Sequence, residues 1–270
     1  MGAGMKRVPT LSVVMPCLNE EENIEAAMKS TLAAFDRYGI EGRLIVVNDG
    51  STDKTRDIVC QLMTRDSRLT LLEHDKPWGV GASFWDGVKQ SKDEYVTIFP
   101  GDNENSPEET LAYFGLTEDV DIIIPFIHNS EIRARWRRII SSCYRFIINV
   151  SFGTSLNYMN GTVIYSTAVL KEIQHYSTGF FYQAETLIRL IRAGYLYAEV
   201  PHFLQRRGFG QTKALSLRSL WNVTRGYFRL IWDIHVLRKI GGANLKINET
   251  STTYRRQYKN LNQIPMSART

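Results

Sequence analysis

The chain alternates short apolar runs with longer stretches in which apolar residues recur every three or four positions. Residues 11–15 (LSVVM) form the first run. Over 21–38, Ile24, Met28, Thr31, Leu32 and Phe35 then fall at helical spacing, with Gly39 as the stop. Residues 44–48 (LIVVN) form a second run, and 53–64 a second helix with Ile58, Val59, Leu62 and Met63 inward. Runs at 69–73, 95–99 and 121–125 predict three further strands, with a short helix over 81–90. Ser106-Pro107-Glu108-Glu109 predicts a helix start. It offers a capping hydroxyl, a proline where no amide donor is needed, and acids at the positive end of the helix dipole. Strands and helices alternating in this way predict an α/β fold, a mostly parallel sheet with helices on both faces.

The second half reads differently. Residues 131–150 place Ile132, Trp136, Ile139, Cys143, Ile147 and Val150 on one helical face, with Arg133, Arg135, Arg137, Arg138 and Arg145 around much of the rest. Residues 216–239 repeat the theme, with Leu220, Trp221, Tyr227, Phe228, Ile231 and Trp232 beside Arg218, Arg225 and Arg229. Charge recurs too often for either segment to span a bilayer. The longest uncharged stretch, 146–170, is broken by Asn149, Gly153, Asn157, Asn160 and Gly161. Two readings remain: basic amphipathic helices lying in a membrane interface, or core helices whose arginines face water.

Charge supports an anionic partner for this half. The net charge of +5 hides a split, because residues 129–270 carry 21 Lys and Arg against 6 Asp and Glu. At 43% hydrophobic and 23% charged residues, the 270-residue chain is a globular one, long enough to bury a core without staples. Three cysteines (Cys17, Cys60, Cys143) without a CxxC pair argue against disulfide frameworks and structural zinc. They fit a cytoplasmic protein, and no secretory signal is visible.

Open α/β sheets bind ligands beyond the carboxyl ends of their strands. Here those positions are 16–20, 49–53 and 100–104, rich in acids and amides that no core needs. Such loops predict a polar ligand, and closely spaced acids predict a divalent cation.

The motifs at these positions carry a resemblance. Residues 14–23 (VMPCLNEEEN), 47–53 (VNDGSTD), 79–82 (GVGA), 101–104 (GDNE), 178–185 (TGFFYQAE) and 207–213 (RGFGQTK) together resemble family-2 glycosyltransferases. The last two resemble the subgroup that glycosylates polyprenyl or dolichyl phosphate. The likeness spans roughly residues 11–235. It implies a GT-A fold, a Rossmann-like sheet followed by C-terminal amphipathic interface helices. The implied domain covers 1–240, with a nucleotide-sugar and metal half (1–128) and an acceptor half (129–240). A polar tail, 241–270, would end loosely or serve an oligomer contact.

The resemblance also implies roles. The donor is a UDP- or GDP-linked sugar. Pro16 and Leu18 pack its base, Val47 lines that pocket, Glu20 and Asp49 accept from ribose or base donors, and Gly101 belongs to the same wall. Family members carry Asp-X-Asp before a Pro-Glu. Anchored on Pro107-Glu108, Asp102 takes the second aspartate's place, Pro100 replaces the first, and Glu104 replaces a following glutamine. On an extended segment Asp102 and Glu104 alternate, so both could face one Mg²⁺ or Mn²⁺ that neutralises the leaving diphosphate. Arg207 and Lys213 would hold the acceptor phosphate, with Arg133 and Arg135 as further candidates. Gln183 and Glu185 would approach the reacting sugar as catalytic residues.

The expected protein is therefore an inverting, metal-dependent glycosyltransferase, peripheral on the cytoplasmic membrane face and without a transmembrane helix. It would move a sugar onto a polyprenyl phosphate. A sugar hydroxyl as acceptor would instead need a positioned base, for which Glu185 is the candidate. A catalytically silent membrane scaffold is the third reading. Nucleic-acid binding has no recognition motif to support it.

Overall fold

The computed structural model describes residues 9–129, 135–203, 217–239 and 247–263. Its first half follows the apolar pattern. Strand β1 (Leu11–Cys17), helix α1 (Ile24–Tyr38), β2 (Gly42–Asn48), α2 (Thr55–Met63), β3 (Leu69–Glu73), α3 (Val80–Gln90) and β4 (Tyr95–Ile98) succeed one another. Then come α4 (Pro107–Leu111), a 3₁₀ turn at Phe114–Glu118 and β5 (Ile122–Ile127). Gly39 ends α1 in the left-handed region at φ 60°. Ser106 caps α4, its Oγ accepting from the Glu109 amide. Helix α1 starts three residues later than its acids suggest, because the Glu20 carbonyl accepts from the Asn23 and Ile24 amides in a preceding turn.

The sheet has seven strands, in the order β3-β2-β1-β4-β6-β5-β7. All five expected strands are present, together with β6 (Ile164–Ser166) and β7 (Tyr197–His202). Strand β6 runs antiparallel to both β4 and β5, and every other pairing is parallel. At three residues, β6 is shorter than any period can reveal. Strands buried on both faces read as continuous apolar runs, and the pleat divides them between two cores. Val14, Ile45 and Val47 join Phe84 and Trp85 of α3 and Leu187 of α7 (Tyr182–Arg192). Val13, Met15, Leu44 and Val46 join Met28 and Phe35 of α1.

Helices α5 (Arg135–Phe152) and α8 (Leu217–Ile231) flank the sheet beside α6 (Thr167–Glu172), and a π-helical turn, Trp232–Val236, follows α8. They meet where Ser151 Oγ lies 2.7 Å from the Tyr227 hydroxyl and Phe152 meets the Tyr227 ring edge-on. Among the described side chains, those facing the core are buried, at Ile148, Phe152, Leu230, Asp233 and Ile234. Most of the stripe expected from the sequence faces outward, although Tyr227 and Ile231 are half-buried against the core and Ile132 lies outside the described residues. Trp136 is 53% exposed and Trp221 68%, with Ile139, Phe146, Ile147, Val150, Leu220, Phe228 and Trp232 likewise exposed. No helix among the described residues is long and apolar enough to cross a membrane.

The segment expected to be a loose polar tail is divided. Residues 241–246 and 264–270 lie outside the described residues, whereas α9 (Thr252–Gln263) docks by its first turn. Asp121, buried before β5, accepts from the Thr252 amide (2.8 Å), the Thr253 amide (2.9 Å) and the Thr253 hydroxyl. A carboxylate from the sheet thus satisfies the open amides of a helix start, a partnership between distant positions that local periodicity does not report.

Candidate donor and acceptor site

The loops after β1, β2 and β3 are laced together by side chain to backbone hydrogen bonds. Asn19, at φ 55°, donates its amide to Ser51 Oγ (3.0 Å) and accepts at Oδ1 from the Thr52 amide (2.8 Å). The Glu20 amide donates to Thr55 Oγ1 (2.8 Å), and the Glu20 carboxylate accepts from Asn23 Nδ2 (2.9 Å). The Glu21 amide donates to Asp53 Oδ2 and the Lys54 amide to Glu21 Oε2. Burial alone would push the Asp53 carboxyl up. The hydroxyl and amide of Thr55 and the Glu21 amide outweigh it and hold the group below the usual aspartate range.

Asp49 is buried, and both its oxygens have partners. Its Oδ1 lies 2.7 Å from His74 Nδ1 and accepts from the Trp78 amide (2.8 Å), while Oδ2 accepts from the Gly79 amide (2.9 Å). It therefore fastens residues 74, 78 and 79 across the end of the sheet. His74 Nε2 lies 3.3 Å from Asp86 Oδ2, and its ring stacks on Trp78 at 4.6 Å between centroids. Trp78 is 50% exposed. The sequence reading passed over both aromatics, although His74 directly follows a strand, the same signal that singled out Asp49.

Pro16 and Val47 are buried; Val47 sits wholly within the core, so its side chain supports the floor of the site from below. Leu18 is half-buried at the end of β1. Burial first, then the charges of Glu20, Asp53 and Asp49, push the Cys17 thiol up to about 12. It stays protonated and points its hydrogen to the Val47 carbonyl (3.6 Å), so it offers no nucleophile.

Gly101 closes the gap between β1 and β4. Its amide donates to the Pro16 carbonyl (2.9 Å), and an added Cβ would sit 2.9 Å from Ile24 Cδ1 and 3.0 Å from Cys17 Cβ. The extended alternation expected for Asp102 and Glu104 is absent. Asn103 adopts φ 56°, and Asp102 Oδ1 accepts from the Glu104 amide at 3.1 Å, which makes 102–104 a turn. Both side chains are half-buried in that turn. No group of three or more His, Cys, Asp or Glu among the described residues could hold a metal. The two carboxylates expected from the sequence to hold a cation are hard oxygens, a donor type that suits Mg²⁺ or Mn²⁺ where diphosphate and water supply the other ligands.

On the acceptor side, Gln183 Nε2 donates to the Gly161 carbonyl (2.9 Å). Glu185 is buried. Its Oε2 accepts from the amides of Tyr176 (3.4 Å) and Ser177 (3.0 Å), and its Oε1 from Arg189. Thr178, from the same motif, accepts at its carbonyl from the Gly81 (2.8 Å) and Ala82 (3.2 Å) amides. Two motifs far apart in sequence thereby meet. Arg135 is exposed at the start of α5; Arg133, Arg207 and Lys213 lie outside the described residues.

Comparison with known proteins bears on the family and the fold. The model of the glycosyl transferase family 2 matches residues 12–174. The dodecaprenyl-phosphate galacturonate synthase of Rhizobium johnstonii is 26% identical over 168 residues, which is 61% of this chain and 50% of that protein. The undecaprenyl-phosphate 4-deoxy-4-formamido-L-arabinose transferase of Edwardsiella ictaluri is 25% identical over 172 residues, 63% of this chain and 53% of that one. The chain spans about half the length of these curated relatives. Among solved structures, glucosyl-3-phosphoglycerate synthase from Mycobacterium tuberculosis in complex with UDP superposes with a TM-score of 0.61 at 19% identity, covering 83% of this chain and 79% of that one. The same protein with Mn²⁺ and UDP-glucose gives 0.60 at 19% identity, covering 87% and 80%. At such identity the likeness establishes the fold, that of GT-A glycosyltransferases. With its motifs at the strand ends and the family model covering more than half its length, the chain belongs to the glycosyl transferase family 2.

Proposed function

We propose that the chain transfers a sugar from a nucleotide sugar to a polyprenyl phosphate at an anionic lipid surface. The observation that carries this reading is the outward-facing apolar stripe of α5 and α8 on a family-2 core. That stripe is flanked by the exposed Arg135, Arg138, Arg145, Arg225 and Arg229. Aromatic and aliphatic anchors beside arginines suit a helix lying in a headgroup layer, each cation adding ~1 kcal/mol near anionic lipid. The names of the relatives, which specify dodecaprenyl or undecaprenyl phosphate, point the same way.

The mechanism follows from an acceptor that is already an anion. A phosphate oxygen attacks the anomeric carbon as the nucleoside diphosphate leaves, with no proton to remove and with inversion at that carbon. Catalysis is then positioning and charge neutralisation. Asp102 and Glu104 would hold a divalent cation, which when bound neutralises charge on the leaving diphosphate. Leu18, the 74–79 loop and Gly101 bound the donor at the strand ends. Arg207 and Lys213 receive the lipid phosphate. A hydroxyl acceptor is less well supported, because the carboxylate nominated as its base is already held by Arg189 and two amides.

The test is a transfer assay with radiolabelled nucleotide sugars, Mn²⁺ and a short polyprenyl phosphate, followed by organic extraction. Label entering the organic phase supports the proposal. Transfer confined to sugar hydroxyls would replace it, and absence of nucleotide-sugar binding by calorimetry would leave the scaffold reading.

A further inference from the structure

Helix α8 carries the exposed apolar stripe, and it also touches the segment 176–181. Gly226 lies so close to residues 177–181 that a Cβ there would sit 2.6 Å from Phe181 Cδ1 and 3.1 Å from Ser177 Oγ. The Arg229 guanidinium lies 3.7 Å from the centre of the Tyr176 ring. Asp233, in the turn that ends α8, accepts from Arg189 Nη2 at 2.7 Å. Arg189 is only 1% exposed, and it donates to Glu185 Oε1 through Nε (3.2 Å) and Nη2 (3.1 Å). Glu185 in turn takes the Tyr176 and Ser177 amides, and the next residue, Thr178, takes the first amides of α3. Gly81 permits that last approach, since a Cβ there would stand 2.7 Å from the Thr178 carbonyl oxygen. Helix α3 opens directly from the loop that Asp49 fastens.

One buried cation between two buried carboxylates is a poor source of stability. The cost of desolvating three charges commonly matches or exceeds their attraction, and apolar residues would fill the same space as well. What the triad supplies is direction: each partner accepts or donates along a fixed line.

We propose that Arg189 and Asp233 are positioning residues. Acting through Glu185, they hold residues 176–178 against α3, so that the seating of α8 on a lipid surface sets the wall of the donor site. The inference rests on the lipid-facing role of α8 proposed above. It assigns Glu185 to this relay, with no part in proton transfer.

The experiment compares the full chain with its Asp233→Asn variant by amide hydrogen exchange, with and without phosphatidylglycerol vesicles, and by release of nucleoside diphosphate. In the wild type, vesicles slow exchange at the Tyr176 and Ser177 amides several-fold. In the variant those amides exchange about tenfold faster and ignore vesicles that it still binds. Its kcat falls roughly tenfold to a hundredfold while the donor KM changes little. Arg189→Lys, which keeps the charge, retains part of the protection. If Asp233→Asn does not fold, Arg189→Lys is read in its place, with intermediate protection expected and wild-type exchange overturning the proposal. Unchanged exchange, or faster exchange at wild-type kcat, overturns the proposal. So does a wild type whose amides ignore vesicles that it binds. If no sugar reaches polyprenyl phosphate, the function proposed above fails, whereas the exchange comparison still decides the relay.

Discussion

In α1, Ile24, Ala27, Met28, Thr31 and Phe35 are buried against the sheet; in α5, Trp136, Ile139, Ile147 and Val150 recur at similar spacing and are exposed. The helical period is the same and the destination is opposite. Periodicity states that an apolar face exists and leaves open what covers it. Charge distinguishes the two cases. The first half is acidic and turns its apolar residues inward, while arginines border the outward stripe of α5 and α8.

The comparison breaks most visibly under truncation. Phe35→Ala, in the inward stripe, lowers unfolding stability by about 3–5 kcal/mol in denaturant titration. Phe228→Ala, in the outward stripe, changes stability by no more than about 0.5 kcal/mol but weakens vesicle binding by about tenfold or more in sedimentation. Equal stability losses at both sites would mean that α8 is covered by protein. The carboxylate half is sharpened by Asp102→Asn, which lowers turnover by about a hundredfold; wild-type turnover would remove Asp102 from the mechanism. In the basic half, Arg207→Ala raises the acceptor KM or cuts turnover about tenfold, with nucleotide affinity nearly constant by calorimetry. The reverse pattern would move Arg207 to the donor side.

The smallest effect concerns Asp53, whose carboxyl is held low by Thr55 and Glu21 in the folded protein. A depressed folded-state pKa adds stability that is present above the unfolded-state value and is lost as pH falls through the folded one. The stability gap between wild type and Asp53→Asn therefore shrinks below about pH 4. A gap that stays constant into acid would mean that those hydrogen bonds do not favour the charged form.

The sequence made the parallel core legible because strands buried on both faces are apolar without interruption and each is followed by a helix of ordinary length. Ser106 and Gly39 marked helix ends because capping is a local matter. Strand β6 escaped because three residues carry no period, and the docking of α9 escaped because Asp121 supplies its capping partner from far along the chain. For the site, strand ends told which loops matter but not which way each carboxylate turns. Asp49 turns to residues 74–79 and Glu185 to Arg189, choices made by tertiary neighbours. The turn at Asn103 likewise replaced an extended segment, since a left-handed residue leaves little trace in composition.

The carboxylate of Asp121 sets a practical boundary for shortening the chain. A version ending at residue 240, where the composition turns polar, would remove Thr252 and Thr253 and leave an anion stranded beside β5 with the hydrogen bonds described for it gone. The last helix thus acts as a clasp at the start of β5, one strand in from the sheet's edge and at the end opposite the loops that follow β1, β2 and β3.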